Sequence, residues 1–122
     1  MKTTEEPAPV SPLAREIYRT LVQHLRANRE SITYGELATA VKIHPRSSKL
    51  HDALGEVTLA CRARGLPLLP AMVWRGDSHR PSDGYYKVAH PRARSFKTQV
   101  VAWEHEHARV IGAERTSWPA SP

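Results

Sequence analysis

The chain has one cysteine, Cys61, in 122 residues. A lone thiol excludes an internal disulfide and a zinc site built from several thiolates, and it points to a reducing, cytoplasmic setting. No apolar run approaches the roughly 20 residues of a membrane-spanning helix, so no membrane partner is expected. The opening residues, Met1 to Val10, lack the apolar centre of a secretory signal. Aromatic side chains are scarce at 7%, with a single phenylalanine, yet apolar residues reach 40% and charged residues 25%. That balance is globular, not disordered. The length suits one hydrophobic core, not two.

Basic charge is the feature in excess. Lysine and arginine number 18 against 12 aspartate and glutamate, a formal +6 with seven histidines neutral. Between Lys42 and Lys97 stand eleven basic and four acidic residues, whereas the two flanks together are slightly acidic. A solvated surface is the bland explanation. Concentration in one contiguous stretch fits an electrostatic footprint for a polyanion, and DNA is the partner expected.

The pattern along the chain divides it into a flexible tail over 1–10, a domain over 11–112 and a second tail over 113–122. Ser11-Pro12 starts a first helix that runs to about Asn28, with Leu13, Ile17, Leu21 and Leu25 on one stripe. Thr33-Tyr34-Gly35-Glu36 has the spacing of a capping box, opening a short helix over Tyr34 to Val41. His44-Pro45 breaks it. A third helix over 47–64 places Leu50, Leu54, Val57 and Cys61 on one face and Ser48 and Asp52 on the other, with Gly65 as its stop. Ala71 to Trp74 and Gly84 to Val88 read as the two strands of a hairpin with a long basic tip. A last helix begins near Arg94 or Ser95, its stripe running through Phe96, Val100, Trp103, His107, Val110 and Ile111. Trp118, in the tail, either folds back on the domain or meets a partner.

That order predicts an α+β winged helix-turn-helix, mostly helical with a small antiparallel hairpin. Such a module sets the start of its third helix in a DNA groove and holds phosphates with the hairpin. The groove contacts expected are Arg46, Ser47, Ser48, Lys49 and Asp52, and the phosphate contacts Arg75, Arg80, Lys87, Arg92 and Arg94.

Thr33-Tyr34-Gly35-Glu36-Leu37-Ala38, Leu50-His51-Asp52-Ala53-Leu54, Pro70-Ala71-Met72-Val73, Gly84-Tyr85 and the late helix resemble the C-terminal domain of alkylguanine DNA alkyltransferases and alkyltransferase-like proteins. The resemblance covers about residues 30 to 112. It implies a winged helix-turn-helix that binds DNA from the minor groove and rotates a damaged base into a pocket. It also implies that Tyr34 lies near the target phosphate. The family's base-displacing arginine falls at Ser48, and its Pro-Cys-His-Arg or Pro-Trp-His-Arg motif falls at Pro70-Ala71-Met72-Val73. An alkyl acceptor must be an activated thiolate, so alkyl transfer is not expected. The landmarks Leu54-Gly55, Gly65-Leu66-Pro67, Val73-Trp74 and Gly84-Tyr85 also resemble small winged-helix units that accompany nucleases in phage and mobile-element proteins.

Other chemistry finds little footing. His105 and His107 stand two apart, on nearly opposite sides of a helix, and His107 falls on the apolar stripe as a core histidine. Asp77, His79 and Asp83 in the hairpin tip would be the set for a metal-dependent nuclease, against a polar turn as the plain alternative. Tyr85, Tyr86 and Trp74 could stack on bases, but packing against a helix is the expected use, with Trp74 or Tyr86 in the core. Cys61 is expected to be buried and inert. The favoured reading is a non-catalytic DNA-binding regulator or accessory factor, with no metal and no cofactor. A protein-binding adaptor is the alternative, and a homodimer would suit a groove reader with two half-sites.

Overall fold

The computed structural model describes residues 10–122, so the expected flexible tail before Val10 lies outside the described residues. The chain forms α1 (Pro12–Arg26), β1 (Ile32–Thr33), α2 (Tyr34–Ala40), α3 (Ser48–Ala63), a 3-10 turn (Leu69–Met72), β2 (Val73–Trp74), α4 (Asp83–Ala89) and α5 (Phe96–Gly112). It is α+β and mostly helical, with one small sheet. No helix among the described residues is long and apolar enough to cross a membrane.

Local chemistry sets the helix starts. The Ser11 hydroxyl accepts from the Ala14 amide at 3.1 Å, while the Ser11 amide and hydroxyl donate to the Glu56 carboxylate at 2.8 and 3.2 Å. The cap of α1 is thereby pinned to α3. Thr33 and Glu36 complete the capping box of α2: Thr33 Oγ1 accepts from the Glu36 amide and Glu36 Oε1 accepts from the Thr33 amide. Helices α1, α2 and α3 each end on a left-handed residue, Asn28, Lys42 and Gly65. In each case the following amide reaches back to a carbonyl of the last turn: Arg29 to His24, Ile43 to Ala38 and Leu66 to Cys61.

Packing follows the apolar stripes. Ile17, Leu21 and Leu25 of α1 and Leu50, Ala53, Val57 and Cys61 of α3 are all buried in one core. Each large side chain there contributes roughly 1.5–3 kcal/mol of burial. Helix α5 closes the core with Trp103 and Val110, and Trp103 Nε1 donates to the Ala71 carbonyl at 2.8 Å. Trp118 folds back: it is 3% exposed, the Tyr18 hydroxyl donates to the Pro119 carbonyl at 2.6 Å, and Arg64 donates to the Ser121 carbonyl.

The expected antiparallel hairpin is absent from the described residues. Strand β2 instead pairs in parallel with β1, Ile32 beside Val73 and Thr33 beside Trp74. The segment expected as the returning strand is helix α4. Tyr85, Tyr86 and Ala89 are buried while Lys87 is exposed, a spacing that suits one helical face and not alternation. Pro81 and Ser82 open that helix. Phe96, placed by periodicity on the buried stripe of α5, is 62% exposed because it stands at the helix's first position.

Candidate nucleic-acid interface

Three of the expected contact residues meet at one cleft. Tyr34 from the start of α2, Asp52 from α3 and Lys87 from α4 line a cavity of about 240 Å³. Leu54, Gly55 and Thr58 of α3 form one wall, and Pro70, Gly84, Tyr85 and Val88 complete it. The volume falls just below the roughly 300 Å³ at which drug-sized sites begin, which suits one ring system. Gly55 keeps the α3 wall low: a Cβ there would meet Val88 Cγ2 at 3.9 Å.

Tyr34 is held by the loop that precedes α4. Its hydroxyl accepts from the Ser82 amide at 2.9 Å and shares a 3.1 Å hydrogen bond with the Ser82 hydroxyl. Burial raises its pKa, while the Ser82 contacts and Arg75 pull the other way. The His51 ring lies 5.5 Å from the Tyr34 ring, tilted by 38°. On the α4 side, burial pushes the Tyr85 phenol far up and lowers the pKa of His90. The Tyr85 hydroxyl and His90 Nε2 share a 2.8 Å hydrogen bond, which fixes the ring at the cleft wall.

The remaining expected contacts do not line this cleft. Ser47 caps α3, its hydroxyl accepting from the Lys49 amide at 3.2 Å, and Arg46, Ser48 and Lys49 are exposed beside it. Arg75 pairs with Asp77 at 3.0 Å. The Arg80 guanidinium lies over the Phe96 ring, 5.2 Å from its centroid. Arg92 is set apart, lining a shallow depression with Arg62, His90 and Ala102. Arg94 is exposed just before α5.

No protein-family model, curated protein or solved structure matches the chain. His51, Gly55 and Ser82 belong to the cleft without having been singled out as contacts in the sequence, and Tyr85, weighed there as a base stacker, lines it too. His51 precedes Asp52 on the same outward face of α3, the one signal that pointed to it. Ser82 fell in the segment read as the hairpin tip, and Tyr85 in the one read as a strand.

The groups that the sequence offered for alkyl transfer or metal-dependent cleavage do not line this cleft. Cys61 is buried, and burial pushes its thiol up to about 11. Ala71 and Met72, at the position where the resemblance requires a nucleophile, are fully buried. Asp77, His79 and Asp83 do not converge: Asp77 is engaged by Arg75, which lowers its pKa, His79 lies 6.0 Å from the Trp74 ring, and Asp83 enters the first turn of α4. Among the described residues no three metal-ligating side chains form a cluster. His107 is half-buried, stacked on Trp103 at 5.8 Å with Nε2 against the Glu30 carbonyl at 2.8 Å.

Proposed function

We propose that this chain is a DNA-binding module that catalyses no reaction, built on a helix-turn-helix in which the loop 75–82 and α4 take the place of a hairpin wing. The observation that carries this reading is the cleft itself, where Tyr34, Asp52 and Lys87 converge from three separate elements. The exposed Lys49 lies in the first turn of the helix that supplies one wall, and the exposed Arg46 just before it. A groove helix, neighbouring cations and a cleft sized for one planar ring suit a duplex from which a base is turned outward. The resemblance to alkyltransferase-like proteins supports the same surface, and the missing thiol removes the reaction.

The test is fluorescence anisotropy of a labelled random duplex across a salt series. Each phosphate contact contributes a slope of roughly −0.9 in log K against log salt. Lys49→Gln and Lys87→Gln should each flatten that slope by about one contact. Absence of binding at low salt refutes the reading. The adaptor alternative is favoured by Leu59, 53% exposed on α3; it requires a protein complex that ignores both salt and the lysine substitutions.

A further inference from the structure

We propose that Phe96 and Arg80 form a second nucleic-acid contact, a stacking platform for an unpaired base beside the cleft. This rests on the DNA-binding reading and adds to it a preference for DNA with exposed base faces.

Among the described residues Phe96 is the most exposed of the large apolar side chains, 62% against 53% for Leu59 and 46% for Val101. An isolated exposed apolar residue means nothing by itself. This one is the chain's single phenylalanine, and a guanidinium lies 5.2 Å from its ring centroid. Exposed cations also flank it in the chain: Arg92, Arg94 and Lys97. Among the described residues none of these three enters an ion pair. An aromatic ring under a guanidinium, with further unpaired cations close to it in the chain, suits a strand that brings a base face and phosphates together, and suits an apolar protein surface poorly.

The platform is tied to the cleft. Arg80 belongs to a closed loop in which the Arg75 amide donates to the Arg80 carbonyl at 2.8 Å and the His79 amide donates to the Arg75 carbonyl at 2.9 Å. Two residues later, Ser82 holds Tyr34 through its amide and hydroxyl. One short loop therefore joins a wall of the cleft to the guanidinium over Phe96. Paired bases keep their faces inside the duplex, so a ring on the surface can stack on a base at an overhang, bulge or gap. Every base has such a face, which makes the contact indifferent to sequence.

The experiment compares the full-length protein with Phe96→Leu and Phe96→Tyr on a labelled duplex and on the same duplex with a short single-stranded overhang. The wild type should bind the overhang DNA more tightly. Phe96→Leu should lose roughly five- to a hundredfold on that DNA, keep its affinity for the blunt duplex and leave the salt slope unchanged, since no charge is removed. Phe96→Tyr should restore the preference. Equal wild-type binding to both DNAs, or a Phe96→Leu variant unchanged on both, overturns the platform while the DNA-binding reading stands. No binding of either DNA at low salt overturns both.

Discussion

Lys42 occupies a backbone position that glycine usually takes. Its φ is 62°, and the neighbouring amides close the end of α2: Lys42 donates to Thr39 and Ile43 to Ala38. The equivalent residue after α1 is Asn28 and after α3 is Gly65, two types that adopt this conformation readily. Lysine has a Cβ that crowds the backbone there, at a cost of about 1 kcal/mol. Its side chain is exposed, so no packing offsets the strain. Lys42→Gly should therefore raise the unfolding free energy by roughly 0.5–1 kcal/mol, read as a higher urea midpoint with unchanged slope. A lower midpoint would mean that the turn is held by something other than the backbone cap. At this scale Gly65 was legible as a helix stop, whereas Lys42 was not, because nothing in its residue type announces a positive φ.

Among the elements, those whose ends carry their own chemistry were the legible ones. Ser11-Pro12, the Thr33 to Glu36 box and Ser47 each marked a helix start within a residue, since the cap and the first turn are set by neighbours in the chain. Helix α4 was misread because aromatic residues suit strands, and its cap, Ser82, makes no side-chain capping bond. Strand β2 was legible only at Val73-Trp74, since Ala71 and Met72, read into it, belong to the 3-10 turn; its partner was not legible, because parallel pairing with β1 depends on how the intervening helices return the chain. Only the packed fold fixes that. The seven-residue α2 depends most on its cap, being too short to hold its helical form alone. Thr33→Ala should cost about 1 kcal/mol in chemical denaturation, and under the proposed DNA-binding function should also weaken that binding because α2 positions Tyr34 at the cleft. If stability falls while DNA binding is untouched, Tyr34 is held by Ser82 alone.

For the whole molecule, the cationic middle of the sequence is divided: Arg46 and Lys49 are exposed at the start of α3, Lys87 lines the cleft, Arg62 and Arg92 line a separate depression, and Arg64 reaches the Ser121 carbonyl. Charge was readable as an excess along the chain, but its division depends on α4 and on where α5 begins. Closure of the molecule depends on residues after α5. Trp118 is 3% exposed in the main core, and its Nε1 is buried without a hydrogen-bond partner. The ring therefore contributes by volume and apolar area, while the N–H subtracts. Trp118→Ala should cost roughly 3–5 kcal/mol, a large share of the about 5–15 kcal/mol that a domain possesses. Trp118→Phe removes the unpaired N–H and keeps most of the ring, so its cost should stay under about 1.5 kcal/mol. Urea denaturation of the two variants separates these effects. Two small and equal losses would show that the final segment does not bury its tryptophan, and α1 would then present Tyr18 and Val22 to solvent beneath it.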